Sequence, residues 1–506
     1  MSSKGDSRRD SHQNTDVDLK EKLLSNDVHG HHHHHHTDVN ETIKKSQKLD
    51  PKLLKSQILV FGLSYFSYCS IHFHREFWSM SKVTIQNDPY MGQYLPKDVM
   101  SKFDFAQLLS YAICMYASGI MGDRFDQRKI LSVAYLGLSG CFFLQGVGGF
   151  MQITSKIYYY LLFILIGLFN SMLFPNIISV LGNWFTKKHR GVIIGMWTTC
   201  NNVGNIIGIQ LAAYLLDAYD GQWPWLFITI SGLVFLLSIM IFLFFIPEPQ
   251  QLGFHIVDED QNGQLIVDDH KVENGVINDE SSLSIRTEDV VEEKKPEQIE
   301  FFKAWFIPRV FLYASTFFGL KFAVYSMLLW LHLYLQGELL YTKQESANVS
   351  AVFDSGAMIG SIALGYISDR VYRTRSPVAF VAILAATGLS YVISFGVADM
   401  TQGLFMFYMF FFGFFVSGLN NIVSGSCAAD IGKQSQLQSH SRSKTTVIGI
   451  IDGSGALGSA IGQLIIGETQ KAYGYLYGMW MVVSIDITFT IIPVAIILLK
   501  DIKLLK

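Results

Sequence analysis

Twelve apolar stretches recur along this chain, near 57–83, 103–121, 130–151, 158–181, 191–215, 225–246, 307–335, 346–368, 377–397, 403–424, 445–467 and 475–499, with polar loops between them. A helix needs about 20 residues to cross the hydrocarbon core of a bilayer. Backbone in lipid must satisfy its own hydrogen bonds, so open segments of this kind span only as helices. Most of the stretches are rich in Phe, Ile, Leu, Gly and Ser, as packed membrane helices are. Of the 506 residues 50% are hydrophobic and 16% charged, against about 25% charged in soluble proteins; the mean hydropathy is +0.29. The expected fold is an all-α integral membrane protein of twelve transmembrane helices, with the lipid bilayer as its solvent.

The polar segments divide the chain. Residues 1–56 read as a cytoplasmic tail, disordered and carrying the tract His31–His36, which reads as low complexity or a tag rather than a metal site. A six-helix half at 57–246 is followed by a linker at 247–306, acidic and nearly free of aromatics (VDEDQNGQ, TEDVVEEKK). A second six-helix half at 307–499 precedes a short tail at 500–506. With both termini cytoplasmic, the short inner loops hold twelve cations: Arg124, Arg128, Lys129, Lys187, Lys188, Arg190, Arg370, Arg373, Arg375, Lys433, Arg442 and Lys444. The opposite loops hold six: Lys82, Lys97, Lys102, Lys156, Lys343 and Lys471. That bias orients the termini and linker toward the cytosol. The net charge of -3 gives no support for a nucleic-acid partner. Four of the five cysteines lie in apolar stretches and Cys427 just beyond one, without metal-ligand spacing, so they read as core residues, and no metal or cofactor is expected.

The two halves repeat. GIMGDRFDQRK from Gly119 and GYISDRVYRTR from Gly365 follow the second and eighth stretches, and Gly119/Gly365, Asp123/Asp369 and Arg124/Arg370 are each 246 residues apart. Gly195/Gly449, Gly204/Gly458 and Gly208/Gly462 are each 254 apart. Three glycines in register beside a repeated G-x-x-x-D-R indicate a duplicated six-helix unit with pseudo-symmetric halves. In the loop motif, Gly permits close helix approach, Asp caps a helix N-terminus, and Arg124, Arg128 and Arg370 pair with carboxylates across the cytoplasmic face. Such a latch would hold one state of the two halves. The alternative is a basic loop that only sets topology.

Charged residues inside the spans are the candidates for function, because ionisable groups in a membrane generally face a bundle interior or a water-filled cavity. Tyr68, His72, Arg75 and Ser79 share one helix face, with Arg75 about 27 Å along a helix beginning near Gln57. Lys321, Tyr325, Leu328 and His332 form a like stripe in the seventh span. One cation from each half, beside tyrosine and histidine donors, suits an anion held between the halves. The competing reading has Arg75 and Lys321 paired with Glu76, Asp354 or Asp452 to fix helix packing, with His72 and His332 as satisfied core histidines. Asp354 and Asp452 lie among small residues and read as gating partners for a cation or as proton-coupling carboxylates. Asp486 in the last span has no evident role.

Twelve spans, a central linker and G-x-x-x-D-R-F-x-x-R-K resemble the major facilitator superfamily, whose members alternate access by rocking two halves about a midplane site. SYCSIHFHREFWSMSK (67–82), GNWFTKKHRGVIIGMW (182–197), NVGNIIG (202–208), LKFAVYSMLLWLHLYL (320–335), FDSGAMIGSIALGYISDR (353–370) and IIDGSGALGSAIGQLIIG (450–467) look like the sugar-phosphate exchangers of solute carrier family 37. These are related to the bacterial organophosphate:phosphate antiporters. The resemblance implies exchange of a sugar phosphate or glycerol phosphate for phosphate, often at the endoplasmic reticulum membrane. Arg75, Lys321, Asp354 and Asp452 match positions of the family. Two positions depart from it. Glu76 stands where many members have lysine, although one residue along a helix is a turn of about 100°, which can point it away from the anion. The fifth-span histidine of relatives falls at Cys200 or Asn201.

The chain is thus expected to be a secondary transporter exchanging an organophosphate for phosphate. Arg75 and Lys321 would neutralise the anion, with Tyr68, His72, Tyr325, His332 and Asn201 as hydrogen-bond donors. Two rivals stand beside it: a carrier of another organic anion, proton-coupled through His72 or Glu76, and a non-transporting membrane sensor or scaffold. An enzyme is not expected, since the chain has no P-loop, no G-x-S-x-G elbow and no metal-ligand spacing.

Overall fold

The computed structural model describes residues 51–254, 258–259, 265–266, 305–307, 309–368, 370, 375–432 and 441–505. The chain divides into two compact units, Met1–Lys55 with Val257–Asp269, and Ser56–Ile256 with His270–Lys506. In the first unit the described part of 257–269 is an antiparallel pairing of β1 (Asp258–Glu259) with β2 (Leu265–Ile266). The expected disorder of residues 1–50, with His31–His36, lies outside the described residues.

The second unit, which begins at Ser56 within the first helix, is a helix bundle. In chain order its helices are α1 (Pro51–Asn87), the short α2 (Met91–Tyr94), α3 (Lys97–Arg124), α4 (Gln127–Phe150), α5 (Lys156–Ser171), α6 (Leu173–Trp184), α7 (Lys187–Thr198), α8 (Cys200–Ala218) and α9 (Pro224–Phe244). Beyond the linker come α10 (Val310–Gly337), α11 (Lys343–Ile367), α12 (Ser376–Gly396), α13 (Gln402–Gly432), α14 (Ser441–Gly478) and α15 (Trp480–Leu505). Among the described residues nine helices are long and apolar enough to cross a membrane, with α5 and α6 counted as one. The further long columns are α1, α3 and the pair α7–α8. The α1 stretch carries His72, Arg75 and Glu76 within its apolar run, and the fifth column breaks at Thr199. The helix edges follow local chemistry. Thr342 and Glu345 form a reciprocal capping box that starts α11, and Asp126 accepts from the Arg128 N–H at the start of α4.

Several sequence boundaries shift. α1 starts at Pro51 instead of 57, so Arg75 lies about 36 Å from its first residue at 1.5 Å per residue rather than about 27 Å. α15 runs to Leu505 through the expected tail. Lys82, expected in a loop, is 1% exposed inside α1. Removing it lowers the opposite-side cation count from six to five.

The repeated glycines pack the halves alike. A methyl added at Gly204 of α8 would meet His72 Cβ at 2.8 Å, and one at Gly458 of α14 would strike the Phe318 carbonyl of α10. Gly204 and Gly458 thus let α8 and α14 press against α1 and α10, respectively, in the two halves. Gly195 and Gly365 meet nothing within 4 Å, so close approach does not account for either. Large apolar side chains of α9 face outward, Leu236 and Leu243 each 59% exposed, as a lipid-facing helix requires.

The halves meet at one end. Lys102 pairs with Glu468 at 3.2 Å, Lys471 with Asp98 at 3.5 Å and Lys343 with Asp217 at 2.9 Å. The Gln344 amide donates to Gln210 and the Gln210 amide to Asn348. Each such exposed ion pair contributes only about 0.2–1 kcal/mol, so together they bias one state without locking it. Among the described ion pairs at the other end, Arg309 with Asp501 at 2.7 Å and Arg128 with Asp126 at 3.7 Å stay within one half. The side chains of Gly119, Asp123, Arg124 and Asp369, which carry the latch reading, lie outside the described residues. Arg370, three residues past the end of α11, sits 5.9 Å from the centroid of that helix's Tyr366 ring.

Candidate functional site

The facing stripes of α1 and α10 cross the middle of the bundle. Arg75 Nη1 donates to the Tyr325 hydroxyl at 3.2 Å, and its guanidinium lies 5.6 Å from that ring's centroid. One turn on, Ser79 Oγ donates to the Leu328 carbonyl at 2.8 Å. These contacts join the two halves. Lys321 Nζ donates to Asp452 Oδ1 of α14 at 2.8 Å and sits 4.7 Å from the Phe317 ring centroid. That pair is partly open, 13% and 24% exposed. Tyr111 of α3, which the sequence pattern did not single out, lies within electrostatic reach of Tyr68, Arg75, Tyr325 and Asp452. Hence three tyrosines, one guanidinium and the Lys321–Asp452 pair converge on one region, with cations from both halves. A narrow crevice of about 10 Å³, room for about one water, is lined by His74, Arg75, Trp78, Asp104, Gln107 and Tyr325; Lys321 is not among its lining residues.

The other expected residues divide between this region and the packing. Tyr68 is buried against Trp197, ring centroids 5.0 Å apart. His72 Nδ1 meets Asn205 Oδ1 at 2.8 Å and also bonds Asn201. Asn205 Nδ2 donates to Asp354 Oδ1 across the halves at 3.0 Å. That bond fixes the amide orientation, so His72 Nδ1 is the donor to Asn205. Asp354 therefore faces an amide, not the cation expected of a gating partner. His332 departs further: it is 0% exposed, its Nδ1 shares a hydrogen with Ser346 Oγ at 2.7 Å, and its Nε2 stands 3.5 Å from Glu76. His332 lies 11 residues beyond Lys321, about 17 Å along the helix, and there the halves are already closed. Glu76, turned from Arg75 by one helical step, is likewise 0% exposed.

Sequence reading missed a deeply buried lysine–carboxylate pair. Lys82 Nζ donates to Asp104 Oδ2 and to the Leu329 carbonyl of the other half. It lies between the Trp78 and Trp330 rings, 5.6 and 5.8 Å from their centroids. The signal was present: Asp104 is the lone acid of the second apolar stretch, 103–121, and Trp78 precedes Lys82 by one turn. Asp486 is half-buried, with its Oδ2 covered and lacking a partner among the described residues; nothing in the structure explains it.

A family model described as Major Facilitator Superfamily matches residues 89–463. The sugar phosphate exchanger 3 of Xenopus laevis is 30% identical over 469 residues, covering 87% of this chain and 92% of the relative. The putative glycerol-3-phosphate transporter 3 of Arabidopsis thaliana is 32% identical over 445 residues, 84% of each chain. The human sugar phosphate exchanger 3 is 29% identical over 469 residues, 88% of this chain and 93% of the relative. Among solved structures, a bacterial homolog of the human lysosomal transporter Spinster, inward-facing and unoccupied, aligns with a TM-score of 0.59 at 13% identity, covering 86% of this chain and 96% of that one. The helix bundle, its internal repeat and the family match over most of its length agree: the chain belongs to the major facilitator superfamily.

Proposed function

We propose that this protein exchanges a sugar phosphate or glycerol phosphate for inorganic phosphate by alternating access. The observation that carries the reading is the meeting of Arg75 with Tyr325 across the halves, beside the partly open Lys321–Asp452 pair. Arg binds phosphate in bidentate fashion, and Lys adds a compact charge. In the unloaded carrier Tyr325 and Asp452 stand in for the anion; a phosphate replaces them and draws the halves together. An anion is then needed for rapid return, which gives exchange without covalent chemistry. The names of the relatives, sugar phosphate exchangers and glycerol-3-phosphate transporters, support this substrate class.

Tyr68, Tyr111 and Asn201 surround the anion as hydrogen-bond donors, while His72, whose Nδ1–H goes to Asn205, supports the site through that amide and not as a donor to the anion. The tails 1–56 and 500–506 and the linker 247–306 lie on the cytoplasmic side, supported by the loop cations, and the likeness to the exchanger family supports the endoplasmic reticulum as the membrane. Under this orientation the closed end faces away from the cytosol. Labelled-phosphate self-exchange in proteoliposomes, competed by a panel of sugar phosphates and carboxylates, tests the reading. Competition by sugar phosphates alone is expected; competition by carboxylates alone overturns it.

A further inference from the structure

We propose that Glu76 and His332 form a proton-binding site across the seam between the halves, so that closing the end away from the cytosol takes up one proton. The proposal deepens the exchange reading, but its test reads conformation rather than transport, so the two fail separately.

Glu76 belongs to α1 of the first half and His332 to α10 of the second. Both are 0% exposed, and Nε2 stands 3.5 Å from Oε2. Both Glu76 oxygens and His332 Nε2 lack a hydrogen-bond partner among the described residues. His332 is satisfied on its other nitrogen by Ser346 of α11. The charged neighbours offer no relief. Arg75 is turned to Tyr325, and Lys82 is matched by Asp104 of α3. Asp354 of α11 is held by Asn205 of α8, itself bonded to His72, and lies within electrostatic reach of Glu76, adding a second acid.

Counting protons on the closed pair leaves one workable state. With none, an ionised carboxylate is buried beside another acid without a partner. With two, an imidazolium is buried unpaired. Either costs several kcal/mol. One proton satisfies both groups, whether written as carboxylate with imidazolium or as acid with imidazole. When the halves part, water reaches both groups, which then titrate near their ordinary values of about 4.3 and 6.5. The hydrated pair holds one proton between those values and none above about 6.5. Closing therefore binds one proton above about pH 6.5 and none just below it. The closed population falls up to tenfold per pH unit above that point. Lys97 at the same end acts with the opposite sign: partial burial, opposed by Glu338, brings its ammonium down to about 8, so closing sheds a proton above that pH. A range ending at about pH 8 separates the two effects.

The test uses the full chain in lipid nanodiscs with nitroxides at Tyr94→Cys and Tyr473→Cys, which flank the seam from the two halves and are 44% and 73% exposed. The chain without these substitutions serves as the labelling control. Spin–spin distances are read from about pH 5 to about 8. The expected closed population is constant at the acid end, then declines above about pH 6.5, approaching tenfold per unit. Glu76→Gln removes the decline. His332→Gln moves its onset down toward about 4.3, so the population already falls at the acid end of the range. Asp354→Asn leaves the decline in place. A flat profile in the parent chain overturns the proposal, as does a decline that survives Glu76→Gln or vanishes in Asp354→Asn alone.

Discussion

Arg75 meets a phenol and Lys321 meets a carboxylate, and this difference sets how each responds to an anion. Displacing Tyr325 exchanges a charge-assisted bond to a neutral group for a stronger one to phosphate. Displacing Asp452 must first separate opposite charges in a partly open site. Arg75→Gln is expected to remove about 1.5–3 kcal/mol of anion binding, roughly a 10- to 150-fold rise in the apparent Kd for phosphate. Tyr325→Phe is expected to change it less than about tenfold. Asp452→Asn frees Lys321 and is expected to tighten binding by about three- to tenfold. Equilibrium binding of labelled phosphate to the purified carrier checks all three; tighter binding by Arg75→Gln would contradict the assignment. The tyrosine and cation stripes of α1 and α10 were legible because a period of 3.6 places them on one face. The burial of His332 was not, because periodicity gives the face but not the depth at which two halves close.

At the scale of helices, α1 is the element on which both halves depend. It carries Arg75, Glu76 and Lys82, and α8 presses on it through Gly204. Breaking the buried Lys82–Asp104 pair from one side, as in Lys82→Met, is expected to cost about 3–5 kcal/mol, whereas Lys82→Met with Asp104→Leu should recover most of it. Thermal unfolding in detergent reads the difference; equal loss in single and double variants would show that packing, not charge, dominates. Gly204→Val is expected to destabilise by about 1–3 kcal/mol through overpacking against His72 and Cys69, while Gly195→Ala, with nothing within 4 Å, stays near neutral. The spans and repeat were readable from apolar length and residue spacing. The break at Met172 was signalled by Pro175, which cannot bond the Ser171 carbonyl, but the break at Thr199, with no Pro or Gly beside it, was not. Lys82 was misplaced because a lysine near a span's end reads as a loop residue unless its partner is known.

For the molecule as a whole, the described cross-half ion pairs cluster at one end while the other end pairs within halves. An alternating-access carrier closed on one side has this distribution, and the aligned Spinster homolog supplies the same fold. Apart from the buried Glu76–His332 pair, the described ion pairs of the seam are partly exposed and each weak, so they can exchange with others at little net change. The anion is then the ligand whose differential binding moves the equilibrium. That claim is tested most directly by trans-stimulation in proteoliposomes. Uptake of labelled glycerol or sugar phosphate should require phosphate inside the vesicle, and should fall at least about tenfold in Arg75→Gln. Uptake that ignores internal phosphate, or that proceeds equally well in Arg75→Gln, would contradict the account.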